Sequence, residues 1–278
     1  MKVDLSHLPP LRDVIRDNEL RAEKKLGQNF LLDLNLTDKI VRSAGDLSGV
    51  HAIEIGPGPG GLTRSLVSTD TASVTAFEYD QRAIKALQSL VEAGQGKLSL
   101  HHEDALDVDV TKYTKTPRAI VANLPYNIAT PLLIGWLKVI YQDKENIKSM
   151  TLMFQKEVAQ RITARVGDKA YGRLAVLASW LCDASLKMDV PASAFTPPPK
   201  VTSSIVHLSP KNLDDTKPDF ELIEKITAQA FGQRRKMIRS SLKNYRDYFD
   251  VVGLDETARA ENLSPDNYVA LANAVRKV

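Results

Sequence analysis

The sequence predicts an α/β protein in which a mainly parallel sheet, covered on both faces, precedes a small helical domain. Three observations carry that expectation. Short apolar runs alternate with helix-length segments between residues 51 and 164, the pattern of strands joined by crossover helices. A turn holding Gly56, Gly58, Gly60 and Gly61 follows the first run, where such sheets open a ligand crevice. From about residue 219 onward the apolar spacing is helical.

The elements follow in order. Residues 11–18 and 35–44 have helical spacing, and Asp33 or Asn35 can cap the second helix. Between them, EKKLGQNFLLD turns from polar to apolar around a glycine. The runs HAIEI, ASVTAFE, KLSLHHE, RAIVA and SMTLMFQ read as strands. Helices are expected from about Gly61, over DQRAIKALQSLVEA, over 130–141 and over 156–164. Two more strand-like stretches lie near 176–189 and 202–208. The dense prolines of PASAFTPPPKV between them predict a stiff loop without regular structure. FELIEKITAQAF, RRKMIRSSLKNYRDYF, ETARAE and PDNYVALANAVRKV are expected as short helices. A chain of 278 residues has room for one core of about 200 residues and a smaller unit. The expected domains are therefore 1–210, with 1–24 as an N-terminal extension, and 211–278.

Composition narrows the class. The opening MKVDLSHLPPLRDVIRDNEL is charged throughout and has no apolar leader core. No stretch reaches the ~18 consecutive apolar residues of a membrane helix, so a cytoplasmic protein without a membrane partner is expected. The one cysteine, Cys182, has apolar neighbours. It excludes an intrachain disulfide and points to an inert thiol, and no metal site is expected. The net charge of +3 is too small to argue for nucleic acid by itself.

The glycine turn points to a nucleotide. Gly56, Gly58 and Gly61 satisfy GxGxxG, and Glu78 ends the second run at the spacing of a ribose-binding acid, so a nicotinamide oxidoreductase stays open. Pro57 and Pro59 have no N–H, however, and remove two donors of the kind that cradle a pyrophosphate. A nucleoside without phosphates fits better. S-adenosyl-L-methionine is such a ligand, and an acid two residues before the first glycine, here Glu54, is typical of its binders. Asp104, ending the third run, can accept from an adenine amine or simply close a turn.

The fourth run ends in Asn123-Leu124-Pro125-Tyr126, beside that pocket. The exocyclic amine of adenine is a poor nucleophile because its lone pair is delocalised into the ring. Two acceptors, the Asn123 side-chain oxygen and the Leu124 carbonyl, can hold both N–H bonds and favour a pyramidal nitrogen whose lone pair faces the sulfonium methyl. Pro125 stiffens the turn, and the Tyr126 ring offers a stacking surface for an unpaired base. Orientation, rather than a strong base or a metal, then supplies most of the rate.

The stretches GQNFLLD, EIGPGPGGLT, FEYD, EDAL, NLPYNIATPLL, MFQKEVAQRI, YGRL, FTPPPKVTSSIV and FGQRRKMIRSSLK, in this order, resemble the S-adenosylmethionine-dependent rRNA adenine N6-dimethyltransferase family. The resemblance runs from about Lys25 to the C-terminus. It implies a Rossmann-like class I S-adenosylmethionine-dependent methyltransferase sheet, with the cofactor held by Gln28, Asn29, Leu31, Gly56, Gly58, Glu78, Asp104 and Asn123. It also implies a target adenine between Tyr126 and Phe195, the latter carried on the proline-rich loop. The long tail after PPPKV resembles the branch that dimethylates two adjacent adenines near the 3′ end of 16S rRNA within the small ribosomal subunit. The large-subunit, antibiotic-resistance branch and a primarily non-catalytic assembly factor are the alternatives.

The RNA has a candidate surface. FGQRRKMIRSSLKNYR carries Arg234, Arg235, Lys236, Arg239, Lys243 and Arg246 with no acid among them. On a helix Lys236, Arg239 and Lys243 share one face, while Phe231, Ile238, Leu242 and Tyr245 recur on another, so a cationic face toward phosphates is expected. Lys156, Arg161, Arg165, Lys169 and Arg173 form a second group, partly offset by Glu157 and Asp168. The protein is expected to act as a monomer.

Overall fold

The computed structural model describes residues 3–23, 27–213 and 217–276. Lys25, where the resemblance begins, lies outside the described residues, as do Lys24 and the last two residues of PDNYVALANAVRKV.

Helix α1 (Leu11–Asp17) leads to a two-residue strand β1 (Phe30–Leu31) and helix α2 (Leu34–Ser43). Asp33, not Asn35, caps α2, its carboxylate accepting from the backbone N–H groups of Asn35 and Leu36. There follow β2 (His51–Ile55), α3 (Gly61–Val67), β3 (Ser73–Glu78), α4 (Gln81–Ala86), α5 (Gln88–Ala93) and β4 (Leu98–His102). The chain continues through β5 (Arg118–Asn123), α6 (Ala129–Gln142), β6 (Ser149–Gln155), α7 (Lys156–Thr163), α8 (Arg173–Leu181) and β7 (Cys182–Val190). It ends with β8 (Phe195–Thr196), β9 (Ser203–Pro210), α9 (Phe220–Gly232), α10 (Ile238–Ser241) and α11 (Pro265–Arg276).

Seven strands form one sheet in the order β4-β3-β2-β5-β6-β9-β7. The pairs β4/β3, β3/β2, β2/β5 and β5/β6 are parallel, and β9 runs antiparallel to β6. The sheet is thus the expected Rossmann-like one with an antiparallel return. Consecutive residues Ala52–Ile55 and Val74–Phe77 are all buried, as are Ile120–Ala122; burial of both alternating sets means both faces are covered. β2, β3 and β4 step one way and β5 and β6 the other, so the topology reverses between β2 and β5, where ligands of such sheets bind.

Four local expectations are corrected. The stretch near 176–189 is helix α8 up to Leu181 and strand only from Cys182, because a continuous apolar run does not separate a buried helix from a strand. The helix over 80–93 is two helices meeting at Leu87. The proline-rich loop is not wholly irregular. Phe195 and Thr196, just before its first TPPP proline, pair as β8 with Leu31 and Phe30, since a residue preceding proline favours the extended conformation. Nor is ETARAE a helix: it holds a turn, a bridge from Met237 to Arg259 and a short 3-10 turn at Ala260–Asn262.

The chain divides into two compact units, residues 1–159 with 185–209, and residues 160–184 with 210–278. A single boundary at 210 does not anticipate that residues 160–184 group with the tail. In the second unit Tyr171 donates to the Leu263 carbonyl and Tyr268 to that of Ala260. Both rings are nearly fully buried, so their hydroxyls need those acceptors. Burial pushes the Cys182 thiol up to about 12, which fits an inert core residue. Among the described residues no helix is long and apolar enough to cross a membrane.

Candidate active site

The loops leaving β2 and β5 part at the topological reversal and enclose a cavity of about 270 Å³ in the first unit. Residues 27–31 supply a third wall. Two glycines are needed by that wall's approach. A Cβ at Gly58, whose φ is +54°, would stand 3.0 Å from the Phe30 ring, and one at Gly61 would stand 2.4 Å from the Leu31 carbonyl oxygen. Gln28, Asn29, Leu31, Gly56, Gly58, Glu78, Asp104 and Asn123 all line the cavity, together with Leu124, Pro125 and Tyr126.

Hydrogen bonding decides which nucleotide fits. Gly56 N–H donates to Phe77, Gly60 N–H to Pro57, and Gly58 N–H to Glu78 Oε2 at 3.1 Å. With Pro57 and Pro59 lacking N–H, residues 56–60 have no donor left for a phosphate. The turn therefore favours a nucleoside over a dinucleotide.

The acids are graded by environment. Glu78 is buried and accepts from Gly58 and Asp80 N–H. Burial pushes its carboxyl upward and those backbone donors oppose it. Glu54 lies deeper, one of the cavity's lining residues but only 1 % exposed, and its Oε2 has no hydrogen-bond partner. Burial, reinforced by the nearby Glu78 charge, pushes it up to about 8. Glu54 pairs in register with Ala76, so it projects from the same face as Glu78 two residues on. Asp104 closes a turn by accepting from Leu106 N–H and also lines the cavity. The cavity thus sets the carboxyls of Glu78 and Asp104 beside apolar walls, an arrangement that fits a nucleoside such as S-adenosylmethionine.

Asn123 Nδ2 donates to the Asn29 carbonyl at 3.0 Å. That partner only accepts, so the amide is oriented with Oδ1 free of any hydrogen bond among the described residues, as is the carbonyl of buried Leu124. Tyr126 is held by a 2.6 Å hydrogen bond between its hydroxyl and Ser203 Oγ. Gln28 is less free than expected. Its side-chain oxygen accepts from Glu23 N–H and its amide nitrogen donates to Asp80, which leaves its backbone and stem as its main surface toward a ligand.

Phe195 departs from expectation. It is 3 % exposed, belongs to the core cluster with Leu31, Val190 and Ile205, and does not line the cavity. Pairing of β8 with β1 accompanies that burial, so of the expected pair Tyr126 and Phe195 only Tyr126 lines the cavity. Phe30 and Tyr79, neither of them expected as site residues, also line the cavity, and Tyr79 is 62 % exposed. Tyr79 was findable as the residue following the strand-end acid; Phe30 had no signal beyond its apolar character.

In the second unit the basic run is not one helix. Residues 233–236 form a turn before α10, and a 3-10 segment spans Lys243–Tyr248, so Lys236, Arg239 and Lys243 do not share a helix face. Acids distant in sequence neutralise part of it. Arg234 pairs with Glu261 at 2.5 Å, and Glu256 pairs with Arg246 at 2.7 Å and Arg239 at 3.7 Å. Arg235, Lys236 and Lys243 are exposed and carry no ion pair among the described residues. In the other basic group, Lys156 pairs with Asp189 and Arg173 with Glu224.

Comparison with known proteins agrees with this geometry. The chain is 52% identical over 274 residues to a protein of Xanthobacter autotrophicus named ribosomal RNA small subunit methyltransferase A, covering 97% of this chain and 94% of that one. It is 47% identical over 280 residues to a protein of the same name from Ruegeria sp., covering 98% and 99%. Among solved structures it resembles a dimethyladenosine transferase from Plasmodium falciparum, with a TM-score of 0.73, 26% identity, and 89% and 98% coverage. The fold of the 23S rRNA methyltransferase ErmE is similar, with a TM-score of 0.66 at 24% identity over 89% and 100% of the two chains. The family model described as ribosomal RNA adenine dimethylase matches residues 19–277, leaving α1 outside the match. With that match spanning nearly the whole chain, this protein belongs to the ribosomal RNA adenine dimethylase family.

Proposed function

We propose that this protein transfers methyl groups from S-adenosyl-L-methionine to the N6 amines of two adjacent adenines near the 3′ end of 16S rRNA. Its substrate is an immature small ribosomal subunit, on which it acts as a cytoplasmic monomer and contributes to subunit biogenesis. The observation that carries the chemistry is the orientation of Asn123. With Nδ2 spent on Asn29, Oδ1 can only accept, and the Leu124 carbonyl beside it is a second acceptor.

When bound, the cofactor supplies a methyl already activated on a sulfonium. The residues then have a positioning task. Asn123 Oδ1 and Leu124 O take the two N6–H bonds, withdraw the nitrogen lone pair from the ring and aim it into the cavity. Tyr126 stacks the base, and its hydrogen bond to Ser203 keeps that ring from swinging away. Glu78 and Asp104 receive the ribose hydroxyls and the adenine amine of the cofactor. The nitrogen releases one proton for each methyl gained.

The second unit is proposed to hold RNA through Arg235, Lys236 and Lys243, with Arg234 and Arg239 shaping that surface through their ion pairs. Phosphate contacts of this kind read shape more than sequence, which favours a partly assembled subunit over naked RNA. The small-subunit target is supported by the names of the relatives; the likeness to ErmE supports the fold alone.

The test incubates the protein with immature small subunits and labelled S-adenosylmethionine, then digests the RNA and identifies its nucleosides. Label in N6,N6-dimethyladenosine from two adjacent positions is the expected result. Label in any other nucleoside refutes the roles given to Asn123 and Leu124.

A further inference from the structure

The N-terminal extension has no place in that mechanism, and none of residues 3–23 lines the cavity. It is nevertheless packed against the wall that does. Leu11 and Val14, three apart on α1, are 4 % and 5 % exposed, and Leu20 is completely buried. These are anchors, since an arm bound only by its surface would leave them in water.

The anchors converge on the cofactor loop. Val14 and Leu20 share a core cluster with Phe30, Ala83 and Ala86, and the Phe30 ring also meets Gly58, whose absent side chain makes room for it. Leu11 Cδ1 would stand 3.3 Å from a Cβ on Gly61, so it packs where the glycine turn enters α3. The polar end of the arm is latched as well. Glu23 N–H donates to Gln28 Oε1, Gln28 Nε2 donates to Asp80, and Arg82 pairs with Glu23 at 2.8 Å and Asp80 at 2.6 Å.

We propose that residues 11–23 are a strap that holds the loop Gly27–Leu31 against the glycine turn, making the arm a positioning element for cofactor affinity. This rests on the reading of the cavity as the cofactor site. A loop that must close to bind raises the apparent dissociation constant by the inverse of the fraction of time it spends closed. Loosening the strap therefore raises the dissociation constant for cofactor while leaving the assembled site, and the RNA surface of the second unit, as they were.

Calorimetric titration of the full chain with S-adenosylmethionine tests this, using wild type, the double variant Leu11→Ala/Val14→Ala and the conservative Leu20→Met. The double variant is expected to bind roughly tenfold more weakly, as for a loop closed about a tenth of the time. Its turnover at saturating cofactor and its RNA affinity should stay within about twofold of wild type, the ordering step being the only one changed. Leu20→Met should bind as wild type does. An unchanged dissociation constant in the double variant overturns the strap, and so does an equal fall in saturating turnover or RNA affinity, which marks a general scaffold. Absence of binding by the wild type would instead sink the cofactor reading itself. Should the double variant fail to fold, hydrogen exchange on the wild type decides: amides of α1 and Leu20 must gain protection when S-adenosylmethionine is added, and no gain overturns the proposal.

Discussion

Asn123 and Asn29 stand 94 positions apart in the chain and are joined by a single 3.0 Å hydrogen bond from the Asn123 amide nitrogen to the Asn29 carbonyl. The bond ties the last residue of β5 to the loop before β1, and it leaves Oδ1 as the free end of the Asn123 amide.

Asn123→Asp replaces the donor with a second acceptor facing the Asn29 carbonyl. The bond becomes a repulsion, and an oriented acceptor is lost although an oxygen is retained. Transfer in single-turnover assays is expected to fall by roughly 100-fold, the size of one lost transition-state contact. Asn123→Ala should fall as far while the protein stays folded. Wild-type transfer by the aspartate variant would show that the amide's orientation is immaterial.

Phe195→Ala removes a ring from a packed core rather than from an open face, so its first effect is on stability. Truncating a buried Phe costs about 3–5 kcal/mol, and unfolding in denaturant should show a loss of that order. Tyr126→Phe leaves the ring and removes the Ser203 bond, worth about 1 kcal/mol, and should mainly raise the KM for RNA. Preserved stability in Phe195→Ala together with lost turnover would return Phe195 to the role expected of it from sequence.

What the sequence shows and hides follows one rule. Alternation of apolar runs with helices located β2 through β6, because burial of both sheet faces demands it residue by residue. Gly56, Asn123 and Tyr126 were legible because turns and chemistry restrict their residue types. Features made by residues far apart in the chain were not legible. The Arg234–Glu261 and Arg239–Glu256 pairs join segments that look independent, so the run around Arg234 read as wholly unpaired. Phe195 sits in a proline-rich stretch whose composition does not reveal the β1 partner that accompanies its burial. The helical spacing of residues 11–18 was visible, but not what Leu11 and Val14 pack against.

Glu54 makes the stability of the cofactor-free protein depend on pH. In the unfolded chain its carboxyl titrates near the ordinary 4.5, and in the fold it keeps its proton up to about 8. Between those values the folded state binds more protons than the unfolded one, so stability falls as pH rises and levels off above about 8. Thermal unfolding across that window should show the decline. Glu54→Gln should flatten it, leaving the smaller contribution of Glu78, which burial also raises. An unchanged slope in the glutamine variant would mean that Glu54 is charged in the folded protein.

The basic run of the second unit should divide into two kinds of residue when RNA affinity is measured against salt. Arg235, Lys236 and Lys243 are exposed without ion pairs among the described residues, so each is free to displace a counterion from a phosphate. Replacing any one with alanine should weaken binding and lower the slope of log affinity against log salt by about 1. Arg234 is committed to Glu261. Alanine there leaves Glu261 uncompensated beside the RNA surface, and is expected to lower the unfolding temperature while changing the salt slope much less than its neighbour Arg235 does. The comparison of adjacent residues is what gives the test its force, since both carry the same charge and differ only in whether the fold has already used it. Equal slope changes at Arg234 and Arg235 would show that RNA displaces Glu261 and recruits the whole run.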